Sequence, residues 1–156
     1  MASGDRSIKL LVDECIGKIA VRAMAELMKF SKPTPQVMSL IDWAGGVQGM
    51  KDNEWVPRIA DEGWLVVTAD CGKQNDGAPL PILLPAYDVS AIYLTPTISS
   101  RRPGFHKIAA IVSLYPKIER IATTCKPGSR YRLTVSGDGF KLNEWPFTKS
   151  ARRELR

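Results

Sequence analysis

Acidic residues in this sequence fall where apolar runs stop. Trp64-Leu65-Val66-Val67-Thr68-Ala69 ends on Asp70, with Gly72 just beyond, and Ile8-Lys9-Leu10-Leu11-Val12 ends on Asp13 and Glu14. Short runs rich in β-branched apolar residues read as buried strands of a parallel sheet. In an open α/β sheet, ligands bind in the crevice outside the carboxyl ends of the strands, so acids at two such ends are site candidates. Asp52 and Glu54, at the start of a helix expected before the Trp64 run, add a third acidic position at that edge.

Carboxylates brought within a few ångströms oppose each other's ionisation unless a cation sits among them, so the grouping implies a metal. Mg²⁺ takes oxygen ligands and keeps several waters, which suits a few carboxylates plus a substrate phosphate. Such an ion can activate water, orient a phosphate and offset charge on the leaving oxygen; two ions about 3.5–4 Å apart can share these tasks. The sequence has one histidine, His106, which disfavours zinc or a histidine base. Cys15, Cys71 and Cys125 are odd in number and have no C-x-x-C spacing, so neither a disulfide framework nor a zinc site is indicated. Each acid also has a structural explanation: Asp52 and Glu54 suit a helix N-terminus, Asp13 can cap a first helix, and Asp70 with Gly72 can make a turn. Three separate capping accounts are needed where one shared site suffices.

The elements that must position these acids follow from periodicity. Ile8 to Val12 is the first strand, and Cys15 to Phe30 the first helix, with Ile16, Ile19, Ala20, Ala23, Leu27 and Phe30 as its core-facing stripe. Pro33 and Pro35 end it, and Gln36 to Ile41 reads as a second strand. Asp42 to Lys51 reads as a glycine-containing loop. The second helix starts near Asn53 and Glu54, with Pro57 expected in its first turn, Val56, Ile59 and Ala60 facing the core, and Asp61-Glu62-Gly63 closing it. A short covering element over Asp76 to Pro85 is followed by a strand at Ala91 to Thr95, and Thr97 to Gly104 reads as a loop. Helical spacing returns at Phe105, Ile108, Ala109 and Val112, and Pro116 splits this helix before Ile118. Arg130 to Val135 alternates and turns at Ser136-Gly137-Asp138-Gly139 into Phe140-Lys141-Leu142, a terminal hairpin. Strand–helix alternation predicts a parallel-rich sheet flanked by helices.

The 156 residues, 44% hydrophobic and 24% charged, suit one globular domain at 8–145 with a basic tail at 146–156. The apolar runs are too short for a membrane span and no signal-peptide layout is present, so the expectation is a cytoplasmic protein with no membrane partner. The net charge of +6 hides an asymmetry: residues 1–100 carry 9 basic and 12 acidic side chains, residues 101–156 carry 13 and 4. Acids early and bases late fit a metal site beside a surface that attracts polyanions.

Leu11-Val12-Asp13-Glu14, Asp52-Asn53-Glu54-Trp55-Val56-Pro57-Arg58-Ile59-Ala60 and Val66-Val67-Thr68-Ala69-Asp70 together resemble PIN-like domains, most closely VapC-type toxins with a short PIN-like fold whose third strand ends in T-x-D. The resemblance covers roughly residues 8–125, with the hairpin as an extension. It implies a three-layer α/β/α domain with a mostly parallel central sheet, and a Mg²⁺- or Mn²⁺-dependent endoribonuclease acting as the toxin of a type II toxin–antitoxin pair. The partners it implies are RNA and a cognate antitoxin, with room for a homodimer. Carried over by position, Asp13, Asp52 or Glu54, and Asp70 are the catalytic acids, with Asp13, Asp52 and Asp70 as metal ligands. Glu14 and Asp76 are additional acids, although the Lys73-Gln74-Asn75 insertion departs from the family's spacing for a fourth acid. Lys73, Arg101, Arg102 and Lys107 are the RNA-binding candidates. Two alternatives are a non-catalytic PIN-like binding domain and a receiver-like phosphoacceptor domain, in which Thr95 and Lys126-Pro127 would join Asp13 and Asp70.

Overall fold

The computed structural model describes residues 7–14, 16–69, 79–99 and 104–146. Among these, six strands form one sheet in the order β2-β1-β3-β4-β5-β6: β1 (Lys9–Val12), β2 (Gln36–Ser39), β3 (Leu65–Thr68), β4 (Ala91–Leu94), β5 (Arg130–Ser136) and β6 (Gly139–Glu144). The first five are parallel, and β6 returns antiparallel to β5 as the expected hairpin. Seven α-helices accompany them: α1 (Lys18–Leu27), α2 (Leu40–Trp43), α3 (Asp52–Ile59), α4 (Leu80–Ala86), α5 (Pro96–Ser99), α6 (Gly104–Ser113) and α7 (Tyr115–Thr124). The fold is α/β with a mostly parallel sheet.

Strand alternation sorts the core into two layers. Leu10, Val12, Val67, Ile92, Leu94 and Leu133 point to one face and meet α1, α6 and α7 through Met24, Ile111 and Ile118. Leu11, Val66, Ala91 and Tyr93 point to the other, where Trp55, Val56 and Ile59 of α3 and Leu80 and Leu84 of α4 cover them. Strands buried on both faces cannot show polar–apolar alternation, which is why β3 and β4 read as continuous apolar runs.

Several boundaries and faces differ from the sequence expectation. The first helix starts at Lys18 and finishes as a 3-10 turn over Met28–Phe30. Of the expected stripe, Ile16 is buried and Ala20 packs on the core, but the helix and its 3-10 turn bury Val21, Met24 and Met28, whereas Ile19 and Phe30 are 75% and 90% exposed and Ala23 and Leu27 are also exposed. The segment carries two apolar stripes, and periodicity alone cannot say which one meets the sheet. The second strand stops at Ser39, whose side chain accepts the Asp42 N–H, so that α2 takes up the last two residues of the expected strand and the first two of the expected loop. Likewise α5 forms where a loop was expected. α3 carries Pro57 in its second turn rather than its first; Val56 and Ile59 are buried and Ala60 packs against them as expected, and Trp55 is buried with them; this packing outweighs the one intrahelical bond a proline forgoes. Gly63 closes the turn into β3 at φ 76°, a conformation that strains any other residue. Pro116 does split the late helix, in the first turn of α7 where its missing N–H costs nothing.

Candidate metal centre at the carboxyl edge of the sheet

The order β2-β1-β3 places the reversal of strand order between the parallel β1 and β3, and this is where an open α/β sheet leaves a crevice at its carboxyl edge. Asp13 follows β1 directly. Its N–H donates to Val67 O at 2.9 Å, so the β1–β3 ladder continues one residue past the strand and fixes the Asp13 backbone. Its side chain then points to the same face as Leu11 and Val66. There Oδ2 accepts the Thr68 hydroxyl at 2.9 Å and Oδ1 accepts the Glu14 N–H at 2.7 Å.

Burial raises the Asp13 carboxyl above its ordinary pKa. The two hydrogen bonds work against that rise, while the negative charges of Asp52 and Glu14 add to it. Its anion is therefore costly without a cation nearby.

Asp52 is the first residue of α3, half-buried, and its Oδ1 accepts Trp55 Nε1–H at 3.0 Å. The fully buried indole thus orients the carboxylate that Asp13 senses. Glu54 is otherwise engaged: its Oε2 accepts the Lys51 N–H at 3.1 Å, closing the start of α3. Glu14 is also used structurally, with Oε1 accepting Gly49 N–H at 3.2 Å, which ties the loop preceding α3 to the end of β1. The two positions that looked interchangeable in the sequence, Asp52 and Glu54, thus do different work.

Asp70, Asp76, Lys73, Arg101 and Arg102 lie outside the described residues, as do Cys15 and Cys71. Lys107 is in the first turn of α6 and half-buried. Among the described residues, no three acidic, histidine or cysteine side chains converge as a metal-holding group; Asp13 and Asp52 supply two hard oxygen donors, the type that Mg²⁺ or Mn²⁺ takes. His106 packs edge-on against Phe140, with ring centroids 4.9 Å apart, and is remote in chemistry from these acids. Lys126 lies between α7 and the amino end of β5, hence at the opposite edge from Asp13. The receiver-like reading loses its lysine on that ground.

Sequence reasoning missed Thr68 as a partner of Asp13. Only the strand register, which sets Val12 beside Val67, brings residues 13 and 68 side by side.

Residues 8–75 match the family model described as a PIN like domain, a family generally related to nucleases; the matched stretch contains β1 through β3, and with them Asp13, Asp52 and Thr68. No curated protein and no solved structure matches the chain. Among the described residues, no helix is long and apolar enough to cross a membrane.

Proposed function

We propose that this PIN-like chain is a metal-dependent endoribonuclease that hydrolyses RNA phosphodiesters, with Asp13, Asp52 and Asp70 as the ligands of Mg²⁺ or Mn²⁺. The observation that carries the reading is Asp13 at the β1/β3 crevice, desolvated and facing the like charge of Asp52. A site that makes a carboxylate anion costly while surrounding it with further acids is built to be neutralised by a cation. When bound, the ion supplies Lewis acidity toward the phosphoryl group and activation of water.

The chain's own residues hold that arrangement in place. Thr68 and the Glu14 N–H fix both Asp13 oxygens, Trp55 fixes Asp52, and Glu14 holds the loop that delivers α3 to the edge. No side-chain base is required. Glu54 serves the helix start and is assigned no ligand role.

The toxin role, with a cognate antitoxin as partner, rests on the resemblance of residues 11–14, 52–60 and 66–70 to VapC-type proteins. The test is direct. Purified protein incubated with mixed RNA substrates and Mg²⁺ or Mn²⁺ cuts them, EDTA stops the reaction, and Asp13→Asn is folded but inert. Induced expression arrests growth for the wild type and not for Asp13→Asn. Intact RNA under all metal conditions overturns the enzyme and leaves the non-catalytic binding domain.

A further inference from the structure

The sheet register carries the acidic end of the site across to the hairpin. Thr68 pairs with Tyr93, Tyr93 with Arg132, and Arg132 with Asn143, so one row on one face runs from Asp13 through Thr68, Tyr93 and Arg132 to Asn143. Thr68 and Tyr93 are fully buried, and nothing can lie on them. One step nearer the carboxyl edge the path is polar and accessible. Thr95 follows β4, its Oγ1 is 2.8 Å from that of exposed Thr97, and Thr97 Oγ1 is 3.4 Å from that of half-buried Thr134 on β5. Thr134 is the register partner of exposed Lys141 on β6.

The hairpin end of this path is positively charged. Arg130, Arg132 and Thr134 of β5 share a face with Lys141 and Asn143 of β6, and among the described residues of the two strands that face carries no carboxylate; Glu144 pairs with Tyr131 and belongs to the other face. Trp145 stiffens it. Its ring lies 4.3 Å from the Arg130 guanidinium and 4.0 Å from that of Arg132, and it meets Tyr93 edge-on with centroids 5.2 Å apart. Arg130 is buried and donates to Pro81 O and Pro146 O. Arg132 is half-buried, while Lys141 and Asn143 are open to solvent.

We infer that this face of the β5–β6 hairpin binds the phosphate backbone of single-stranded RNA. The strand leaves the Asp13 edge along the Thr95, Thr97 and Thr134 hydroxyls and reaches Arg132, Lys141 and Asn143. Four inter-strand steps separate β1 from β6, roughly 19 Å at about 4.8 Å each, so the hairpin grips nucleotides outside the scissile one. Hydroxyl, amide and cationic donors without a competing carboxylate match phosphate oxygens, and such contacts position a strand without reading its bases. The choice of RNA as occupant rests on the nuclease reading above.

The experiment measures binding of a fluorescent, unstructured single-stranded RNA in EDTA, so that cutting does not enter, as a function of salt. Lys141→Glu and Lys141→Ala with Asn143→Ala change exposed side chains and preserve the fold. Lys126→Glu, with the same charge change at the opposite edge, is the control. Lys141→Glu is expected to weaken binding by about fivefold or more and to flatten the salt dependence by about 0.7 in log–log slope, with Lys126→Glu close to wild type. Equal affinity and slope for wild type and both hairpin variants overturn the proposal, as does an equal loss in Lys126→Glu, which would report net charge only. The two readings fail separately. Hairpin-dependent binding without cutting when metal is added sinks the nuclease and keeps the surface, whereas metal-dependent cutting with binding unchanged by the hairpin variants sinks the surface and keeps the nuclease.

Discussion

The Thr68 hydroxyl donates to Asp13 Oδ2 across 2.9 Å, joining the carboxyl ends of β3 and β1 where the strand order reverses. Replacing it tests how much of the Asp13 anion is held by this one donor. Thr68→Val keeps the shape of a fully buried side chain and removes the O–H. Hydrogen bonds to charged groups contribute about 1.5–3 kcal/mol. The variant is expected to lose stability of that order at neutral pH and little below the titration of Asp13, where the carboxyl is neutral. Chemical denaturation at two pH values checks this; an equal loss at both would mean that Thr68 does not support the anion.

Asp13 itself is expected to lower the stability of the metal-free protein. Its folded carboxyl is raised above 3.8, chiefly by burial, so the native state binds more protons than the unfolded chain between the ordinary carboxyl range and the raised value. Stability then falls as pH rises through that window and stays lower above it, the reverse of an ion-paired carboxylate. Asp13→Asn should raise Tm at neutral pH, with the gain shrinking as pH falls. Its Oδ1 can still accept Glu14 N–H while its amide donates to Thr68. Added Mg²⁺ or Mn²⁺ should raise Tm in the wild type and leave Asp13→Asn unmoved. A variant less stable than wild type at neutral pH would contradict the electrostatic account.

Asp52 and Glu54 are expected to separate by function. Asp52→Asn is expected to abolish metal-dependent cutting while leaving the fold intact. Glu54→Gln should keep activity and change stability by less than about 0.5 kcal/mol, because a Gln oxygen still accepts the Lys51 N–H. The ratio of kcat/KM in the two variants decides, and equal losses would return both acids to the site.

The orientation of α1 gives a stability contrast. Phe30→Ser removes a side chain that is 90% exposed and is expected to move stability by no more than about 0.5 kcal/mol. Met24→Ala removes a fully buried one and should cost about 2–5 kcal/mol, or roughly 4–20 °C in Tm. Comparable losses would mean that the Ile19–Leu27–Phe30 stripe is covered.

Much of the fold was legible because strands buried on both faces leave continuous apolar runs, and prolines and glycines mark where elements stop. β1, β3, β4 and the terminal hairpin follow from those signals alone, and so does the gathering of acids at strand ends. The sequence by itself thus determined that Asp13 ends a buried strand and that Asp52 begins a helix. Tertiary structure decided which partner each acid meets. Asp52 and Glu54 are two residues apart, and only the tertiary setting gives one the buried Trp55 indole as partner and the other the Lys51 N–H at the helix start. The face of α1 was settled the same way, since its two apolar stripes are equal by period and only contact with the sheet distinguishes them. Thr68 and Arg132 gained their roles from strand register, a relation between distant segments that no local pattern encodes.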